Sequence, residues 1–292
     1  MTKEKRHIIV PIDFSEQSII ALSQTYNLAR MSSADITLLH VIDEALFSSV
    51  LHLFSSKEDQ EELLRLGIQT KLNGLANDAK AKSGLEFNTR IEKGKIYDVV
   101  AEVAKEMNAS FIVMGTSGET TLKKKFIGSN AIRVISDAPC PVITIKGKKH
   151  RSGCNTILLP LDLSKETKEK VTKCIEIARF FNSTVKVMSV IDTEDEFLIN
   201  KLERQMDQVV EFIATHQIAC TGEFYKHKDI SEGVLEYSEK INADLIIIMT
   251  QKESDWTVFV STESQQIINN SEVPICSIRP IERKDTTEYV IT

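Results

Sequence analysis

The chain has 292 residues, of which 42% are hydrophobic, 27% are charged and only 11 are Gly and 6 Pro, which excludes collagen-like and disordered classes. The net charge of −6 argues against general affinity for nucleic acid, which depends on a basic face. No uncharged apolar run is long enough to span a membrane and the N-terminus lacks signal-peptide character, so we expect a cytoplasmic protein that binds neither nucleic acid nor membrane.

Short β-branched runs alternate with longer amphipathic stretches, a pattern typical of an α/β domain with a parallel sheet. The elements expected in chain order over the first half are strand His7–Ile12, helix Ser15–Met31 with a Ser15 cap, strand Asp35–Val41, helix Glu61–Lys82, strand Glu86–Glu92, helix Tyr97–Met107, strand Ser110–Met114, helix Ser129–Ile135 and strand Val142–Ile145. The near-continuous hydrophobicity of the strands predicts a sheet covered on both faces.

The second half repeats the first. Residues His7–Ser15 recur as Thr156–Ser164 at a displacement of 149, and Asn108–Met114 recur as Asn242–Ile248 at a displacement of 134. Ile36–Asp43 and Val185–Asp192, and then Pro141 and Pro274, continue the series in the same order. This conservation of order predicts two tandem copies of one fold.

We place the first domain at residues 1–147, a basic linker at 148–153, the second domain at 154–281 and a tail at 282–292. Residues 1–146 hold 18 Lys and Arg and 18 Asp and Glu, so the remainder holds 36 − 18 = 18 and 42 − 18 = 24. All the excess acid therefore belongs to the second copy.

The cysteines and histidines indicate neither disulfides nor a metal site. The five cysteines form no CxxC pair, and an odd number without an export signal predicts free thiols. The six histidines are scattered and show no spacing typical of metal ligands. We expect no protein-bound structural metal.

A glycine pattern follows the fourth strand of the first copy. We expect Gly115 and Gly118 to turn with positive φ and to expose backbone amides to phosphate oxygens. Gly128 and Ser129 then open a helix, whose N-terminus favours an anion. A GxxG pair alone is more often an ordinary turn, but the full spacing directly after a buried strand is far more specific.

With this G-x2-G-x9-G-S spacing and the internal repeat, the chain resembles a tandem universal stress protein whose first copy carries the ATP-binding signature of that family. The resemblance implies two Rossmann-like sandwiches of the adenine nucleotide alpha hydrolase type, each with a five-stranded parallel sheet. It also implies an adenine nucleotide, ATP or else ADP or AMP, bound with Mg²⁺ through phosphates and water.

The resemblance further implies that Asp13 lies beside the ribose and adenine and that the main chain at Val41 reads the adenine edge. The residue types alone leave Asp13 open as a helix N-cap and Val41 as core packing. The full set of predicted nucleotide-binding residues is Pro11, Asp13, Val41, Met114, Gly115, Ser117, Gly118, Gly128, Ser129 and Asn130. The Lys123–Lys125 run is either a phosphate contact or, more often in such loops, a solvated face.

The second copy departs from the signature. Aligning Ile248 with Met114 places Met249, Lys252, Ser261 and Thr262 at the positions of the three glycines and Ser129. Side chains at these positions disfavour open φ values, and Glu253 and Asp255 would repel phosphate. We therefore expect one competent site and a degenerate partner domain.

The resemblance also implies that the last strands, Val142–Ile145 and Pro274–Ile278, pair within the chain about a twofold axis. Association of two chains into a homodimer and the identity of a protein partner stay open. Segment Ala45–Gln60 is either a partner or lid surface or an ordinary packed connection.

The leading functional hypothesis is an ATP-binding stress-response regulator without dedicated catalysis. A nucleotide-free protein-interaction module and, less favoured, a slow ATPase are the alternatives. The loop Asp13–Glu16 lacks the glycines of pyrophosphate-gripping enzymes, and no catalytic triad is recognisable. His40, in an apolar strand, is expected to be a satisfied core residue.

Overall fold

A computed structural model describes residues 6–43, 57–116, 127–146, 153–162, 167–191, 193–254, 257–259 and 261–280. Ser117, Gly118 and Lys123–Lys125 lie outside these ranges, as do most of Ala45–Gln60, most of the linker and the whole tail.

The first domain alternates strands and helices from its first element to its last. Its elements are β1 His7–Pro11, α1 Glu16–Ser32, β2 Asp35–Ile42, α2 Lys57–Ser83, β3 Phe87–Lys93, α3 Ile96–Glu106, β4 Phe111–Gly115, α4 Ser129–Asp137 and β5 Val142–Ile145. Most boundaries lie within one or two residues of those expected from the sequence.

The second domain repeats this order. Its elements are β6 Thr156–Pro160, α5 Thr167–Phe181, β7 Thr184–Ile191, α6 Glu196–Thr215, β8 Cys220–Lys226, α7 Ile230–Lys240, β9 Leu245–Met249, the hairpin β10 Gln251–Ser254 and β11 Thr257–Phe259, α8 Thr262–Asn270 and β12 Ile275–Ile278. The hairpin has no predicted counterpart and follows β9 where the glycine loop follows β4.

The two domains share one ten-stranded sheet in the order β3-β2-β1-β4-β5-β12-β9-β6-β7-β8. Within this sheet, neighbouring strands of the same domain are parallel, an arrangement that requires crossover connections, here made through helices. The predicted α/β class with two copies of a parallel five-stranded sheet is confirmed. Between the domains, β5 and β12 run antiparallel, with Cys276 opposite Ile143.

Helices cover both faces of this sheet, and its central strands are buried. Ile8, Ile9 and Val10 of β1 are fully buried, with Ile8 and Val10 in one hydrophobic cluster and Ile9 in the other. This alternation is the period of a strand whose two faces each meet a helix layer.

Helix α2 starts at Lys57, four residues before the expected start. Leu72 is fully buried, but Leu63 and Leu66 are 68% and 62% exposed. The predicted helix is therefore present, and only part of it packs on the sheet.

One hydrophobic cluster runs from the first domain into the second. Phe111 of β4 packs against Phe180 and Phe181 of α5, with ring centroids 4.9 and 5.4 Å apart. The Arg6 guanidinium lies 4.4 Å from the centre of the Phe180 ring. The connection between the domains is therefore made by core packing as well as by strand pairing.

All five cysteines are free thiols, as predicted. Burial raises the pKa of Cys140 to about 12, so its reactive thiolate is scarce at neutral pH. Among the described residues, no helix combines the length and the apolar character needed to cross a bilayer.

Candidate functional site

The candidate site is the crevice at the carboxyl ends of β1, β2 and β4. Strand β1 lies between β2 and β4 and is parallel to both, so all three strands end at the same edge of the sheet. The chain order reverses between β1 and β4, which is where open α/β sheets bind ligands. Pro11 and Gly115 end β1 and β4, and Val41 lies one residue before the end of β2.

A tight turn joins β1 to α1. Ser15 is the N-cap of α1, and its hydroxyl accepts a hydrogen bond from the Ser18 amide at 3.2 Å. Asp13 is therefore not the cap; its carboxylate accepts a hydrogen bond from the Ser15 amide at 3.0 Å and is exposed in the crevice. Between them Phe14 has a φ of 63°, a conformation that costs a residue with a Cβ energy and that often marks functional sites.

His40 on β2 is held against this turn. Its Nδ1 lies 2.6 Å from the carbonyl oxygen of Ile12, and because a carbonyl only accepts, Nδ1 carries the proton. The ring centroid is 5.1 Å from that of Phe14. Burial lowers the pKa of His40, while the Ile12 hydrogen bond and the charge of Asp13 act in the opposite direction. His40 is thus hydrogen-bonded, as the sequence predicts, but it lies half-buried beside the crevice rather than in the core.

The positive φ predicted for Gly115 is wrong. Its φ is not positive, so it does not supply the open turn predicted for it. A Cβ at this position would lie 2.9 Å from both the carbonyl carbon and the Cβ of Gln17. The residue is therefore a glycine because α1 packs directly against the end of β4.

The two ends of the glycine loop meet. The amide of Gly128 donates to the carbonyl oxygen of Thr116 at 2.7 Å, and Thr116 is buried. We call this pair, together with Ile127, the loop neck. The neck places the start of α4 directly beside the end of β4.

Helix α4 begins without a side-chain cap. Its N-cap is Gly128, in an extended conformation with φ −69° and ψ 150°, and the first turn contains no acidic residue. Ser129 and Asn130, the first two helical residues, are exposed. The first amides of the helix thus have no side-chain acceptor from the cap, as an anion site requires.

The second domain supports the loop neck of the first. The amide of Ile127 donates to Oδ1 of Asn269, on α8, at 2.6 Å. Nζ of Lys146 donates to the carbonyl oxygen of Asn269. Sequence reasoning missed this contact because it joins residues 142 positions apart and leaves no local signal.

The equivalent region of the second domain has different chemistry. Met249 ends β9 in the place of Gly115. The N-cap of α8 is Ser261, whose hydroxyl accepts from the Ser264 amide at 3.2 Å, and Glu263 lies in the first turn. The position of His40 is taken by Ser189, which donates to the carbonyl oxygen of Leu161 at 3.2 Å.

The fold and the crevice together define a two-domain Rossmann-like α/β protein in which the helix after β4 starts without a side-chain cap and the helix after β9 is capped by Ser261. The model of the universal stress protein family matches residues 5–146 and again 153–279. The chain belongs to the universal stress protein family.

Relatives and solved structures agree with this assignment. A universal stress protein of Methanocaldococcus jannaschii is 33% identical over 144 residues, covering 49% of this chain and 84% of that protein. A putative universal stress protein of Staphylococcus aureus is 27% identical over 147 residues, covering 48% and 84%. The crystal structure of a universal stress protein from Archaeoglobus fulgidus superimposes with a TM-score of 0.75 and 20% sequence identity, covering 94% of this chain and 98% of that protein's chain. At this identity the similarity shows the fold alone.

Proposed function

We propose that the first domain binds an adenine nucleotide, ATP in the first instance, and that the protein is a nucleotide-dependent regulator of the stress response rather than a dedicated enzyme. The observation that carries the proposal is the start of α4, which has no side-chain cap and no carboxylate and lies against the end of β4.

The phosphates would lie on the start of α4. Unpaired N–H groups and the helix dipole both favour negative charge there. The exposed Ser129 side chain adds a hydroxyl donor, and Asn130 adds an amide. The loop neck fixes this helix start relative to the sheet, so little ordering would be needed at this end of the loop on binding.

The nucleoside would lie over the ends of β1 and β2. Asp13 keeps an exposed carboxylate there after accepting from Ser15, and carboxylates are suitable acceptors for ribose hydroxyls. Val41 is half-buried at the end of β2, where its main chain is available for the adenine edge that the resemblance assigns to it. These groups fit an adenine nucleotide.

Any Mg²⁺ would arrive with ATP. Within the described ranges no three His, Cys, Asp or Glu side chains converge as metal ligands. Magnesium with nucleotides is commonly held by phosphate oxygens and water, so the protein's part is to hold the phosphates.

The test replaces Asn130 with the residue that the second domain has at this position, Glu263. Calorimetric titration of the full chain with MgATP should give one site per chain. In Asn130→Glu the new carboxylate should lower affinity at least tenfold, since repulsion of phosphate by about 1.4 kcal/mol suffices. The same charge should leave folding stability unchanged or raise it by about 0.3–1 kcal/mol, because an anion suits a helix N-terminus.

Asn130→Gln is the matched control and should bind ATP like the unmodified chain. The proposal fails if the unmodified chain gives no heat at millimolar nucleotide. It also fails if the glutamate variant binds as tightly as the glutamine variant.

A further inference from the structure

The second domain contains a cleft at the carboxyl ends of β6, β7 and β9. Its volume is about 290 Å³, near the lower end of the roughly 300–1,000 Å³ typical of small-molecule sites. Met188, Val190, Ile248 and Met249 form part of its mixed apolar and polar wall. The cleft therefore has the place and the lining of a ligand site although the glycine signature is lost.

Among the described residues, the lining of this cleft includes a buried cation. The Lys170 side chain on α5 is only 8% exposed, and its Nζ lies 3.8 Å from Oδ1 of Asp162, whose side chain is 59% exposed. In the first domain the equivalent position on α1 is Ala21, which is fully buried. Burying an ammonium is costly unless it is paired, and here it lies beside Asp162, so the lysine brings a charged donor to the wall of the cleft.

The opposite wall excludes phosphate. Ser261 and Ser264 line the cleft, and the hydrogen bond between them already occupies an amide at the start of α8. Glu263 adds a carboxylate at this helix start. Among the described lining residues, two carboxylates, Asp162 and Glu263, face one ammonium, so a multiply charged anion is disfavoured.

The second domain has Met249 at the end of β9 where the first domain has Gly115 at the end of β4. This substitution explains why the two crevices differ in shape. A Cβ at the equivalent Gly115 would meet the backbone of α1 at 2.9 Å. The close approach of α1 to β4 is therefore not available to α5 and β9, where a methionine side chain lines the cleft instead.

We propose that this cleft binds a small uncharged organic molecule, the size of a nucleoside or smaller. Its apolar body lies against Met188 and Met249, and a hydrogen-bonding group on the molecule meets the Lys170–Asp162 pair. This site is separate from the nucleotide site of the first domain and selects against phosphate, where the first selects for it.

Methionine methyl groups report on the two sites separately. Met188 and Met249 line the cleft, whereas Met114 lies near the end of β4 in the first domain. The full chain, labelled with ¹³C at methionine methyls, is titrated with adenosine and, separately, with MgATP. Adenosine has rings and hydroxyls without charge, and ATP adds only the phosphates, so the pair tests the charge argument directly.

Adenosine should shift the Met188 and Met249 signals in a saturable manner, and MgATP at the same concentration should leave both in place. Lys170→Met should weaken the adenosine response about tenfold or more, as expected for the loss of a hydrogen bond from a charged donor. Lys201→Met, at an exposed position on α6, is the matched control and should bind normally.

Two results would overturn the proposal whatever the state of the first domain. One is an adenosine titration to millimolar concentration that moves neither Met188 nor Met249. The other is a shift of these two signals by MgATP equal to that caused by adenosine. Both measurements use the unmodified chain, so they stand even if Lys170→Met does not fold.

Discussion

The two domains share a fold and differ at the helix that follows the fourth strand of each. Helix α4 starts at Gly128 with no side-chain cap, whereas α8 starts at Ser261, which caps its own helix and is followed by Glu263. One helix start is open to an anion from outside, and the other is satisfied by its own side chains. The comparison teaches that equivalent helix starts in two copies of one fold can differ in whether a side chain of the chain itself satisfies the first amides.

The two domains also differ at the residue that ends the fourth strand of each. Gly115 allows α1 to contact β4 directly, while Met249 keeps a side chain between α5 and β9 in a cleft. The first domain thus has a tightly closed helix–strand contact beside an open helix start. The second has a capped helix start beside an open cleft.

The largest loss of stability is expected for Gly115→Met, which gives the first domain the residue that the second domain has at the equivalent position, Met249. The new side chain would meet the Gln17 backbone, so we expect a loss of about 1–3 kcal/mol in unfolding free energy, typical of overpacking. Nucleotide binding should be lost with it. Urea unfolding and calorimetry measure the two effects.

Gly67→Met is the matched substitution, because Gly67 lies on α2 with open space around its Cβ position. It should stabilise the chain by about 0.5–1 kcal/mol through helix propensity. A Gly115→Met protein as stable as this control would show that the close contact between α1 and β4 is not required.

Exchanging the caps should have a smaller effect. Ser261→Ala removes the acceptor for the Ser264 amide and should cost about 0.5–2 kcal/mol. The reverse change, Gly128→Ser, should alter stability by only a few tenths of a kcal/mol, roughly the Gly-to-Ser difference at an N-cap. It should also weaken ATP binding, since the new hydroxyl competes for an amide.

Thr262→Ala, one residue after the cap and exposed, serves as the control in urea unfolding. If Ser261→Ala and Thr262→Ala unfold at the same urea concentration, the hydroxyl does not stabilise α8 and the contrast between the helix starts loses its energetic basis.

The smallest effect concerns pH. The pKa of His40 is lowered on folding from its ordinary 6.5, so the unfolded chain binds more protons near that pH. Its contribution to stability is present above the unfolded pKa and is lost as the pH falls through the lower, folded pKa. His40→Ser, the residue of the second domain, keeps a hydroxyl donor for the Ile12 carbonyl and removes this titration.

The difference in unfolding free energy between the unmodified chain and His40→Ser, followed by urea unfolding from neutral to acidic pH, isolates this contribution. It should change in favour of the serine variant as the pH falls. A difference that stays constant with pH would contradict the assignment.

Helices and strands with a regular hydrophobic pattern were predictable from the sequence. Contacts between elements that lie far apart in the chain were not. The recurrence of His7–Ser15 as Thr156–Ser164, 149 residues later, marks two equivalent segments. Both were predictable as the strands β1 and β6 because a strand covered on both faces must be apolar on both. The hairpin β10–β11 was missed because its strands have four and three residues, too few to show alternation. The spacing singles out Gly115, but the structural reason for a glycine there is its contact with Gln17, far away in sequence.

Within the candidate site, the carboxyl ends of the strands and the start of α4 followed from local pattern. The positive φ of Phe14 did not, since phenylalanine carries no signal for that conformation. Nor did the contact of Asn269 with Ile127, because it exists only once both domains have folded and paired.

The antiparallel pairing of β5 with β12 has a consequence for how the protein can change. When two separate identical subunits meet about a twofold axis, each substitution appears on both sides, and their association depends on concentration. Here the halves are covalently joined, so dilution does not separate them and each side can mutate alone. Asn269 supports the neck of the first domain, while the residue at its position in the first domain is Ser136. The fusion thus allows one half to evolve as a permanent support for the other.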